Sequence, residues 1–153
     1  MNKLQVSTDV PTEIHFSRVF DAPRRLVIKA MTTPELIKKW MGGKRGVVTS
    51  AEADLRPGGR YRNAFRANNG FEFAFTGTYH EVSDERIVFV EQMEGQPGEA
   101  RITATFTEEA GKTTMKMVMS FPNQEMRDMV LATGMADGMA ETYEFLEALV
   151  QQL

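Results

Sequence analysis

Residues 135–153, MADGMAETYEFLEALVQQL, decide the fold. At about 100° per residue, Met135, Met139, Thr142, Tyr143, Leu146, Leu149, Val150 and Leu153 fall on one stripe that Leu131 begins, and Asp137, Glu141, Glu144 and Glu147 fall opposite. The pattern predicts an amphipathic helix, roughly 27 Å long at ~1.5 Å per residue. No other segment has that length or periodicity, and the rest of the chain is rich in strand patterns. The helix is therefore expected to lay its apolar face on a sheet.

Just upstream, NQEMRDMVLAT (123–133) carries its own stripe of Met126, Met129 and Val130, about half a turn away from the Met135 stripe. Gly134 is therefore expected to separate two helices. Pro122 ends a region, 46–121, whose texture is β throughout. GVVTSAEADLR, RYRNAFRA, FEFAFTGTYHEV, RIVFVEQMEG, EARITATFTEE and KTTMKMVMSF are alternating or β-rich runs, divided by Pro57-Gly58-Gly59, Asn68-Asn69-Gly70, Ser83-Asp84-Glu85, Gln96-Pro97-Gly98 and Ala110-Gly111. These six strands form an antiparallel meander. TEIHFSRVF (12–20) adds a seventh. Two short helices follow it, one behind Asp21 as N-cap and one opened by Thr33-Pro34-Glu35 and stopped at Gly42-Gly43. Residues 1–11 carry little pattern and read as a loose N-terminal arm.

The resulting order is β, α, α, six β, α: an α+β domain spanning residues 1–153, in which a curved antiparallel seven-stranded sheet wraps around the long C-terminal helix. By the period-2 rule one face carries Tyr61, Phe65, Phe73, Phe75, Tyr79, Phe89, Ile102, Phe106, Met115, Met117, Met119 and Phe121. The other carries Arg60, Arg62, Arg66, His80, Arg101 and Lys116 and is expected to be solvated.

With 153 residues, 42% hydrophobic and 25% charged, the chain can bury one substantial core. A net charge of −3 supplies no general basic field for nucleic acid. The absence of cysteine excludes disulfides, thiolate metal sites and a cysteine nucleophile. The start, MNKLQVSTDVPTEI, lacks the apolar core of a signal peptide, and no run approaches a membrane span, so a cytoplasmic protein is expected.

The segments SRVFDAPRRLVIKAMTTPELIKKWMGG (17–43), DLRPGGRYR (54–62), FTGTYHEVSDERIVF (75–89) and TGMADGMAETYEFLEALV (133–150) resemble the SRPBCC or START-like superfamily with its helix-grip fold. Within it, the match is to the branch similar to the C-terminal domain of the activator of the heat-shock-protein-90 ATPase. The resemblance implies one of several functions. Relatives include lipid carriers and other ligand binders, co-chaperones, and aromatase/cyclase enzymes. Where many of the branch have two adjacent tryptophans, this chain has Trp40 followed by Met41, and eight of its 11 methionines lie at or after Met93.

The expected site is a cavity between the C-terminal helix and the sheet, lined by Trp40, Phe65, Phe73, Phe75, Tyr79, Phe89, Phe106, Met115, Met117, Met119, Met135, Met139 and Tyr143, with Trp40 at its mouth. Flexible, polarizable methionine suits an interior that adapts to its occupant, and the aromatic rings suit an apolar pocket. Arg18, Asn63 and Glu91 share the phase of inward residues and are the candidate polar groups; two buried ions should pair with each other or meet a ligand. No catalytic residues are assigned, because His15 and His80 fall out of phase with the interior and nothing brings a nucleophile, base and acid together. No metal site and no cofactor are expected. The expected partner is a small hydrophobic ligand, with a chaperone or other protein as the alternative. Exposed sheet edges would permit a homodimer. On the helix itself, the leucine end is expected to anchor the fold and the methionine end to face the ligand.

Overall fold

The computed structural model describes residues 2–153. Its strands are β1 (Gln5–Ser7), β2 (Glu13–Phe20), β3 (Gly46–Ala53), β4 (Arg60–Ala67), β5 (Glu72–Val82), β6 (Arg86–Met93), β7 (Ala100–Glu109) and β8 (Lys112–Ser120). Helices α1 (Arg24–Thr32) and α2 (Pro34–Trp40) follow β2, and α3 (Gln124–Ala132) and α4 (Met135–Val150) follow β8. The strands form one antiparallel sheet in the order β1-β2-β8-β7-β6-β5-β4-β3, an arrangement consistent with the helix-grip fold.

The sheet has eight strands, not seven. The additional strand is β1, which pairs with β2 through Gln5↔Ser17, Val6↔Phe16 and Ser7↔His15, inside the stretch expected to be a loose arm. A strand of three residues is too short to show a period, so alternation could not reveal it. A buried arginine also fixes this segment: Nη1 of Arg127, on α3, donates to the carbonyls of Thr8, Val10 and Glu13 at 3.0–3.1 Å.

Helix α4 has 16 residues and ends at Val150, short of the 135–153 stretch read from the sequence. Gly134 precedes it with φ of +79°, the left-handed conformation that lets α3 and α4 meet at an angle. Neither Asp21 nor Thr33 caps a helix with its side chain; Pro23 occupies the N-cap position of α1, and the Asp21 carboxylate lies 3.6 Å from Lys112. None of the helices described is long and apolar enough to cross a membrane.

Register places the inward residues in rows across the sheet. Ile14, Met119, Ile102, Phe89 and Tyr79 form one row, and Phe16, Met117, Ala104 and Ile87 the next. The core is densest where β2, β7 and β8 meet the second half of α4: Ile14, Phe20, Met115 and Leu146 are completely buried. A methyl or ring removed there would leave a cavity in a packed interior.

Candidate functional site

Toward the opposite part of the sheet the same inward face is less tightly covered. Two neighbouring rows there run Ala51, Asn63, Phe75, Met93 and Val48, Phe65, Phe73. All of these residues except Asn63 are half-buried. Above this region the first half of α4 follows the same trend: from Met135 to Thr142 no residue is buried, whereas Tyr143, Leu146, Leu149 and Val150 all are. This half of the helix is held by the 41–45 loop. Glu141 accepts from Arg45 at 2.6 Å, and Gly43 (φ +58°) abuts Thr142 so closely that a Cβ there would lie 2.9 Å from its hydroxyl. The loop is tied in turn to the turn that follows β4, because Asn68 Nδ2 donates to the Lys44 carbonyl at 2.7 Å.

On the floor of this region sits a polar group built by three adjacent strands. Tyr61 on β4, Gly77 on β5 and Glu91 on β6 stand in one row. A Cβ on Gly77 would lie 2.3 Å from the Tyr61 ring. The glycine therefore lets the ring lie across β5 and bring its hydroxyl to Glu91, where it donates to Oε2 at 2.5 Å. Tyr79 and Phe89 pack beside it, with ring centroids 5.3 and 5.8 Å from Tyr61.

Glu91 is ringed by protein, yet its residue keeps part of its surface accessible. Burial pushes its carboxyl above the usual glutamate range, and the Tyr61 hydrogen bond only partly offsets this. Burial, reinforced by the Glu91 charge, raises the Tyr61 and Tyr143 phenols and pushes Tyr79 up to about 12. One row away lies Asn63, 7% exposed. Its Nδ2 sits 3.9 Å from the Met41 sulfur, and its Oδ1, fully buried, has no hydrogen-bond partner among the described residues. A thioether can only accept, so the nitrogen belongs beside it and the oxygen is the end left open.

The remaining expected site residues divide between the two regions. Phe65, Phe73, Phe75, Phe89, Met135 and Met139 are half-buried, and Phe65 stacks on Phe73 at 5.1 Å. Met115, Met117, Met119 and Phe106 lie in the densely packed part. Trp40 is not at a mouth. It is 2% exposed, donates its indole N–H to the Ala30 carbonyl at 2.8 Å, and packs against Tyr143, because the end of α2 turns inward beneath α4. Tyr143 is likewise enclosed, between Trp40 and Phe20.

Arg18 and Glu91 both point inward, as their phase indicates, but they do not pair. Arg18 donates to Glu144 and Glu147 of α4, both at 2.9 Å, and lies 4.5 Å from the Phe20 ring centroid. Those glutamates fall on the helix face expected to be solvated; the long arginine reaches past the core edge to meet them. Tyr61, Gly77 and Met41 were not among the expected site residues. Gly77 was detectable as a lone glycine in a strand whose in-phase neighbours are Phe75 and Tyr79.

Two surface clefts, each of about 270 Å³, lie outside this region: one is lined by Pro23, Arg24, Arg25, Asp84 and Glu108, the other runs along β1, β2 and β8 from Gln5 to Val118. Among the described residues no three histidine or acidic side chains converge as a metal site would require.

The family model described as "Activator of Hsp90 ATPase homolog 1-like protein" matches residues 21–151. No curated protein matches the chain. Solved structures of the same fold include a Rhodobacter sphaeroides protein with 25% identity over 99% of both chains and a TM-score of 0.92. A Nitrosomonas europaea protein is 23% identical over 94% of this chain and 97% of its own, with a TM-score of 0.85. DynU16, from the dynemicin biosynthetic locus, is 19% identical over 92% of this chain and 47% of its own, with a TM-score of 0.70.

Proposed function

The chain belongs to the Activator of Hsp90 ATPase homolog 1-like family, and on that premise we propose that it binds a small hydrophobic or amphipathic ligand between the first half of α4 and the inward faces of β4, β5 and β6. The observation that carries this is a change in burial along both the inward face of the sheet and the α4 stripe that meets it: complete at Ile14, Met115 and Leu146, partial at Phe65, Phe73, Phe75, Met135 and Met139. Apolar side chains left half-covered beneath a helix lose the stabilisation of full burial, about 25 cal/mol per Å², and an apolar occupant would recover it. A few polar groups amid aromatic walls suit orientation of such an occupant.

Titration with an uncharged fluorescent apolar dye such as N-phenyl-1-naphthylamine tests this directly. Saturable binding is expected, and Met139→Trp, which fills the space, should abolish it while the protein still melts cooperatively. Absence of dye binding, together with a Met139→Trp protein too strained to fold, would mean that the interior is solid.

The family description also suggests a co-chaperone-like interaction. That function would use the surface, where Phe71 is 62% and Phe145 37% exposed. Addition of the protein to an Hsp90-type ATPase, with no change in turnover, would dismiss it.

A further inference from the structure

Asn63 and Glu91 restrict what can occupy the open region. Asn63 Oδ1 is an acceptor buried without a partner, which costs about 1–3 kcal/mol in a folded protein. Glu91 accepts from Tyr61 at Oε2, and its other oxygen carries no hydrogen bond among the described residues. The two side chains stand on adjacent inward rows, two strands apart. Among the described residues, the arginines nearest to them are already paired. Arg45 is held by Glu141, Arg62 by Glu94 on the outer face, and Arg18 by Glu144 and Glu147.

We propose that the occupant is an amphipathic molecule whose head donates hydrogen bonds and carries no negative charge, an alcohol or phenol rather than a fatty acid, with that head seated between Asn63 Oδ1 and Glu91 and its apolar tail along Phe65, Phe75 and Met139. The inference rests on the ligand-binding function proposed above. The hydroxyl satisfies the orphaned Asn63 oxygen. A carboxylate head meets two acceptors, one of them the acid Glu91, with no counter-charge, and like charges in a poorly solvated site repel strongly. An ester of the same length meets the acceptors with no donor.

The test is dye displacement, or calorimetry, with decanol, methyl decanoate and decanoate at neutral pH, below their aggregation limits. Decanol should bind about tenfold more tightly than the other two, the worth of one good hydrogen bond. Asn63→Leu should weaken decanol several-fold and leave methyl decanoate unchanged. Glu91→Gln, which removes the acid and adds an amide donor, should raise decanoate affinity toward that of decanol. If Asn63→Leu does not fold, the wild-type ranking and Glu91→Gln decide the matter. Equal binding of all three by the wild-type protein, or tighter binding of decanoate, would overturn the head-group inference while leaving ligand binding intact. Binding of none of the three and of no dye would overturn both.

Discussion

The sheet turns one ionisable side chain inward in each of its two regions, Arg18 buried and Glu91 partly accessible, and the two are held differently. In the closed region, Arg18 lies in the row of Met115 and Phe106 and is neutralised by two carboxylates reaching over from α4. In the open region, Glu91 has only a tyrosine hydroxyl, and its neighbour Asn63 has an unpartnered oxygen. A buried ion needs a counter-charge or further hydrogen bonds. Arg18 has both carboxylates as counter-charge, with its Nε the one buried nitrogen left without a partner among the described residues; Glu91 faces no such counter-charge, and that is what sets the two regions apart.

The contrast can be broken most forcefully at Arg18. Replacing both Glu144 and Glu147 with alanine strands a guanidinium that is 2% exposed, and should cost about 3–5 kcal/mol in urea unfolding. If the loss were within experimental error, the triad would not be the device that closes this region.

Next in size is a matched pair on α4. Leu146→Ala should cost about 2–5 kcal/mol, as for a fully buried leucine. Met139→Ala should cost clearly less, because its side chain is only half-buried. Equal losses would show that the helix is packed uniformly from end to end.

Gly77→Ala comes third, at about 1–3 kcal/mol. Its Cβ would push the Tyr61 ring from its place and break the bond to Glu91. The expected crystal structure of the variant has Tyr61 turned away from Glu91; an unmoved ring would refute the account of this glycine.

The smallest effect concerns pH. Glu91 is raised in the folded protein, so the native state holds its proton more tightly than the unfolded chain does. Its contribution is therefore most favourable below the ordinary glutamate value and is lost as pH rises through the folded one. Glu91→Gln should stabilise the protein relative to wild type at pH 8, and the gain should shrink as pH falls toward about 4.5. Glu147 behaves in the opposite sense. Burial alone would raise it, but hydrogen bonds from Gln151, Arg18, Asn2 and the Asp21 backbone bring it below the usual range. Its contribution is present above the ordinary value and lost as pH falls through the lowered one. Parallel melting profiles for wild type and Glu91→Gln across this range would mean that Glu91 is solvated.

How far the site was legible depended on how local each cause is. The inward phase of Glu91, Asn63 and Arg18 could be read from the alternation of strands, because a side chain two residues from a buried one shares its face. Their partners could not. Glu144 and Glu147 lie more than 120 residues from Arg18, on the polar side of a helix, and only the packing of α4 brings them within reach. Trp40 was misplaced for a similar reason: the end of a short helix reads as an edge, and only the covering α4 makes it interior. β1 escaped notice because three residues hold too little pattern.

Strands β2 to β8, the break at Gly134 and the apolar stripe that α4 turns toward the sheet are legible in short stretches of residues, since period, turn chemistry and positive φ are local properties. The sequence also carried the uneven composition of that stripe, methionine first and leucine last. That Leu146 and Leu149 are buried while Met135 and Met139 are half-covered, and that Glu91 and Asn63 keep acceptors without partners among the described residues, follows from packing alone. Burial and hydrogen-bond satisfaction belong to pairs of surfaces, and which surfaces meet is settled by strand order and by the loop that holds the first half of α4 over the sheet.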